Sequence, residues 1–184
     1  MNSGMLVLVV GPSGVGKDTL IAYCRRRLAD TGMVVFPRRA ITRPAGDDTE
    51  DHESVSDEEF RRRNATGGFA LGWQAHGLSY GVPAGIDDEL LAGRTVVVNV
   101  SRAIIDAARQ RYPCLKVVCV TASPEILAAR LQGRGRESQA DIAQRLNRAA
   151  SVEVSGPDVL FLDNSGLPEE AGEKLVGLLT SVPH

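Results

Sequence analysis

The sequence predicts an α/β fold, a three-layer α/β/α arrangement around a five-stranded parallel sheet, and three observations lead there. Aliphatic runs at residues 5–10, 95–100, 115–120 and 159–162 are apolar at nearly every position, as in strands buried on both faces. Helical patterns at residues 19–29, 104–111, 124–132, 139–152 and 169–179 alternate with those runs, which requires parallel strands joined by right-handed crossovers. The first run, MLVLVV, passes straight into a glycine-rich turn that opens the first helix. A chain of 184 residues, 43% hydrophobic and 24% charged, suits a single domain. At this size it buries roughly 70% of its unfolded surface without needing disulfides or a structural metal.

Taken in order, residues 1–36 supply the first strand, the first helix and a second core strand. Residues 37–83 break the rhythm, being richer in Gly, Asp and Arg. They hold a short helix at residues 56–64, where Ser56 and Glu59 match a capping box, and short strands across residues 69–80. This segment is expected to face the substrate. The core resumes at residues 84–129 and 153–184, with an arginine-rich stretch at 130–152 between them.

Charge excludes some functions. The 21 basic and 23 acidic residues leave a net charge of −2, which does not suit a nucleic-acid binder. Lys17, Lys116 and Lys174 are the three lysines, so the other 18 basic residues are arginines, a bias of either codon usage or selection for bidentate anion contacts. Cys24, Cys114 and Cys119 form neither a paired framework nor a zinc pattern and are expected to be small buried hydrophobes. The apolar run at residues 5–10 is too short to span a membrane and has no signal-peptide flanks, so a cytoplasmic protein without membrane partners is expected.

Gly11-Pro12-Ser13-Gly14-Val15-Gly16-Lys17 stands between a buried strand and a helix, the context of a phosphate-binding loop. Its glycines allow backbone N–H groups to turn around an anion, the helix N-terminus adds a favourable dipole, and Lys17 reaches the outer phosphates of a nucleotide. Asp18 follows where Ser or Thr is usual. It has two readings, an idle acid in the first helical turn or a contact to Mg²⁺, directly or through water. His52 and His76 lack ligand spacing, and no Ser or Cys nucleophile with a base is visible, which favours direct in-line transfer.

Over nearly its whole length the chain resembles the guanylate-kinase-like group of P-loop kinases. The matching stretches are GPSGVGKDTL (11–20), ITRPAG (41–46), FALGWQAHGLSYGVP (69–83), RLQGRGRES (130–138) and IAQRLNRAASVE (142–153). Within that group, the GKD ending of the loop, EDHE at 50–53 and WQAHGLSYG are most similar to the ribose 1,5-bisphosphate phosphokinases of phosphonate catabolism. The departures from guanylate kinases agree: Leu71 stands where they carry a guanine-reading Glu, His52 where they carry a Tyr, Arg39 where they carry a Ser, and Gly46 where they carry a second Arg.

The resemblance implies ATP-dependent phosphorylation of α-D-ribose 1,5-bisphosphate to 5-phospho-α-D-ribose 1-diphosphate, in phosphonate catabolism or diphosphate biosynthesis. ATP would bind at Gly11, Pro12, Ser13, Gly14, Val15, Gly16, Lys17, Asp18 and Thr19, with Mg²⁺ near Asp18. Arg39, Arg43 and Tyr80 would hold the acceptor, against the plainer alternatives of a solvated Arg39 and a packing Tyr80. Lys17, Arg43, Arg134 and Arg145 would act on the transferring group, the last two from an arginine-bearing lid with Gly133 and Gly135 as hinges. Asn99 and Ser101 replace acidic residues at the end of one strand, so the Mg²⁺ carboxylate is expected to have moved to Asp18. Two other functions stay open: a guanylate or other nucleoside monophosphate kinase, and a non-catalytic interaction module. Monomer and homodimer are equally compatible with the sequence.

Overall fold

The computed structural model describes residues 4–44, 51–133 and 154–181. Its main sheet is five-stranded and parallel, in the order β2-β7-β1-β8-β9, from β1 (Leu6–Val10), β2 (Val34–Val35), β7 (Thr95–Asn99), β8 (Leu115–Thr121) and β9 (Val159–Asp163). Every residue of β1 is buried, because β1 is the central strand and pairs on both sides, Leu6 with Val96 and with Leu115. Strand alternation then divides its side chains between two apolar layers. Leu6, Leu8 and Val10 face one cluster and Val7 and Val9 the other.

Helices α1 (Lys17–Arg27) and α6 (Pro168–Thr180) cover one face of the sheet, contributing Leu20, Cys24, Leu175 and Leu179 to a shared cluster. Ile105 and Ala108 of α4 (Ile105–Arg111) pack into the other. α1 begins two residues earlier than its apolar pattern suggests, because Gly16, at φ 98°, caps it directly from the loop. Asp18 in its first turn and Arg25–Arg27 in its last both suit the helix dipole. α5 (Pro124–Gly133) follows β8. The helix expected at 139–152 lies outside the described residues.

A second, four-stranded sheet comes from residues 39–83, in the order β4-β3-β6-β5. β3 (Arg39–Ile41) pairs in parallel with β4 (His52–Ser54) and antiparallel with β6 (Leu78–Pro83), which forms a hairpin with β5 (Phe69–Ala75). His76-Gly77 makes the hairpin turn, both residues at positive φ. α2 (Asp57–Ala65) starts as its capping signal predicts, the Glu59 N–H donating to Ser56 Oγ at 3.1 Å. The Glu59 carboxylate goes instead to Arg62 and Arg63, so only half of the reciprocal box forms. α3 (Ile86–Leu91), a short helix absent from the sequence expectations, packs Ile86 and Leu90 into the core.

Candidate active site

The glycine-rich loop connects β1 to α1, and two of its glycines are required by the space around them. Gly11 has φ 148°, and a Cβ there would lie 2.5 Å from the Val120 carbonyl oxygen. Gly16 has φ 98°, and its Cβ would lie 2.6 Å from Asn164 Nδ2. Any other residue at either position meets both a backbone penalty and a collision.

Asn164 follows β9 and holds the loop from a distance in sequence of 149 residues. Its Nδ2 donates to the Val15 carbonyl at 2.7 Å while its own backbone N–H donates to Thr121 O at 2.8 Å. Arg130, from α5, adds a longer contact to the same carbonyl at 3.3 Å. Lys17 Nζ donates to Gly11 O at 2.8 Å and Pro12 O at 3.0 Å, which tethers its ammonium to the start of the loop.

Asp18 does not stand idle. Asn99, at the end of β7, donates from Nδ2 to Asp18 Oδ1 at 2.6 Å. The two positions that the sequence linked through a displaced carboxylate are therefore in contact. One Asp18 oxygen and the exposed Thr19 hydroxyl are hard donors of the kind Mg²⁺ takes. Among the described residues there is no cluster of three or more His, Cys, Asp or Glu able to cage an ion. The donor set fits Mg²⁺ held chiefly by substrate phosphates, with few protein ligands.

A cleft of about 310 Å³ opens beside this point, lined by Asp18, Thr19, Arg25, Arg39, Asp51 and Asn99 among others. Arg39 is only 8% exposed, so the solvated alternative does not hold. Its guanidinium carbon lies 5.9 Å from the ring centroids of both Trp73 and Tyr80, which are themselves stacked at 5.2 Å and 5°. Such contacts orient a cation without neutralising it. Tyr80, buried and in ring contact with Arg39, is not part of the cleft lining. Half-buried Arg43 does not line it either; it follows Thr42, whose N–H donates to Ser79 O at 3.0 Å. Arg134 and Arg145 lie outside the described residues.

Ion pairs brace the acceptor side. Asp51 accepts from Arg25 Nη1 at 2.5 Å and from Arg38 Nε at 2.7 Å; the Arg25 hydrogen bond is the main cause that holds its carboxyl below the usual range. Arg63 grips Glu53 with both terminal nitrogens, at 2.7 and 2.9 Å, and donates from Nε to Glu59 at 2.6 Å, tying α2 to β4. Hydrogen bonds from Arg62 and then Arg63 push the Glu59 carboxyl down to about 2. His52 Nε2 meets Ser54 Oγ at 3.1 Å. Leu71 is 7% exposed and belongs to the main apolar cluster, so it offers no polar edge to a base. Cys24 and Cys119 are buried as expected, and burial pushes the Cys24 thiol up to about 12, whereas Cys114 is only half-buried.

Sequence reasoning missed Asn164, Trp73, Arg25 and Asp51. Trp73 and Asp51 stood inside quoted stretches without a role, and nothing local ties Asn164 to the loop or Arg25 to the cleft.

No family model matches the chain. Individual relatives do. It is 58% identical over 178 residues to the ribose 1,5-bisphosphate phosphokinase PhnN of Acidiphilium cryptum, covering 96% of this chain and 93% of that protein. It is 46% identical to the protein of the same name from Chelativorans, over 97% of this chain and 86% of the relative. The chain belongs to the ribose 1,5-bisphosphate phosphokinase family. Among solved structures, this member of the family is similar to a guanylate kinase from Anaplasma phagocytophilum, with a TM-score of 0.68 over 98% of this chain and 86% of that one. Identity there is 19%, so that likeness speaks for the P-loop kinase fold alone.

Proposed function

We propose that this chain transfers the γ-phosphoryl group of ATP to the 1-phosphate of α-D-ribose 1,5-bisphosphate, giving 5-phospho-α-D-ribose 1-diphosphate and ADP. The observation that carries the acceptor assignment is the 58% identity to a relative of that name along almost the whole length of both chains. The cleft supports it. Its wall carries guanidinium groups, and Leu71 is committed to the core, so the site suits phosphates on a sugar better than a nucleobase.

In this reading an oxygen of the acceptor 1-phosphate attacks the γ-phosphorus in line as the bond to the β-bridging oxygen breaks. The nucleophile is already anionic, so no strong general base is needed. The loop from Gly11 to Gly16 and Lys17 would hold the β and γ phosphates, and Asp18 with Thr19 would serve Mg²⁺, with Asn99 orienting the carboxylate. Bound Mg²⁺ supplies charge neutralisation between the phosphates. Arg39 would bind the acceptor, Arg43 and Tyr80 supporting it. Arg134 and Arg145 are assigned to the transferring group on the sequence resemblance alone.

Phosphorus NMR of the protein with Mg-ATP and either ribose 1,5-bisphosphate or GMP tests the reading. New diphosphate resonances with the ribose compound only are expected; turnover of GMP only would return the chain to nucleotide kinases. In the same assay, an Asp18→Ala variant that keeps its Mg²⁺ requirement would remove Asp18 from the ion's shell.

A further inference from the structure

The cleft holds a cation that the assignments above leave without a role. Asp18, Ala22 and Arg25 line it from α1, spaced by four and three residues and so sharing one helix face. Seven residues of helix put the Arg25 Cα about 10 Å along the axis from that of Asp18. The Arg25 guanidinium carbon lies 5.9 Å from the Phe36 ring centroid, and Phe36 lines the same cleft. Arg25 Nη1 is engaged by Asp51 Oδ2 at 2.5 Å, while its Nε is buried and has no hydrogen-bond partner among the described residues. Arg39 lines the same cleft from β3.

We infer that Arg25 is the specificity-determining residue for the acceptor's second phosphate, the one that does not react, and that Asp51 is a positioning residue holding the Arg25 fork. The inference rests on the acceptor proposed above. The reacting phosphate has to sit beside Lys17 and Asp18 to meet the γ-phosphoryl group, so the other phosphate lies a sugar's length away, within reach of the cleft wall that Arg25 and Arg39 line. An anion there gives the buried Nε an acceptor, and a planar fork suits phosphate oxygens.

Steady-state kinetics of Arg25→Gln against wild type tests this, with ribose 5-phosphate, which keeps only the non-reacting phosphate, as a competitive inhibitor. The expected result is a KM for ribose 1,5-bisphosphate raised at least tenfold with kcat changed less than threefold. The inhibition constant of ribose 5-phosphate should rise in parallel, and the KM for ATP should change less than threefold. Arg25→Lys, which keeps the charge and loses the fork, should fall between the two, and Asp51→Asn should raise the acceptor KM by a smaller factor than Arg25→Gln. If Arg25→Gln does not fold, Arg25→Lys carries the test, with a rise in acceptor KM of at least threefold expected. An unaltered acceptor KM, a fall in kcat alone, or equal increases in the ATP and acceptor KM would overturn the inference while leaving the acceptor reading intact. A wild-type protein that does not phosphorylate ribose 1,5-bisphosphate would overturn both.

Discussion

The two ends of the cleft are built from different materials. The loop end is built from main-chain shape: Gly11 and Gly16 at positive φ, a helix N-terminus, and a buried carboxamide from Asn164 that fixes the Val15 carbonyl. The end proposed for the acceptor is built from charged side chains, partly exposed and held by one another in the Arg25–Asp51–Arg38 and Glu53–Arg63–Glu59 networks, with Arg39 over the Trp73–Tyr80 stack. A backbone cradle reads what all nucleoside triphosphates share and has little to adjust. A set of forked side chains can be rearranged one residue at a time, so under the proposed function selectivity for the acceptor would concentrate there. The difference also separates their responses to solvent. Paired surface charges weaken with salt and with acid, whereas a packed glycine turn does not.

The largest effect is expected at the cation of the loop end. Lys17→Ala should lower kcat by on the order of 10³, since phosphoryl transfer depends on cations placed around the phosphates, with little change in melting temperature. Steady-state rates and a thermal melt check both halves. Arg39→Lys sharpens the acceptor side: an ammonium keeps the charge but loses the fork and its seat on the rings, and the acceptor KM should rise about tenfold with the ATP KM held. Asn164→Ala tests the loop side. It leaves the Val15 carbonyl, among the described residues, with the 3.3 Å Arg130 contact, and the lost buried hydrogen bond should cost about 1–3 kcal/mol in urea denaturation and raise the KM for ATP.

The smallest effect is expected at Glu59. Its carboxyl is depressed in the folded state from 4.5 to about 2, so its ion pairs contribute fully above pH 4.5 and are lost as pH falls toward 2. Melting temperature should decline through that window in the wild type. Glu59→Gln should be slightly less stable near neutrality and should converge on the wild type as the pH approaches 2.

The alternation of aliphatic runs and helical patterns was sufficient for the parallel sheet because strands buried on both faces have no choice but to be apolar throughout, and β1, β7 and β8 are of that kind; β9 departs from that expectation, since as an edge strand it leaves Leu160 and Phe161 exposed. The phosphate loop was legible for a similar reason: its chemistry is local, contained within seven consecutive residues after a strand. Elements of two or three residues, such as β2, β3 and β4, are too short to show a period, and α3 spans fewer than two turns. Residue type and chain position thus determined by themselves the fold class, the donor loop, the capped start of α2 and the candidacy of Arg39 and Asp18. Only the tertiary structure decided which side chains meet: Asn99 on Asp18, Asn164 on the loop, Trp73 and Tyr80 under Arg39, and Asp51 on Arg25. Those contacts join residues 26 to 149 positions apart, at separations where no local pattern constrains the partner and packing of the completed sheet alone brings the groups within bonding distance.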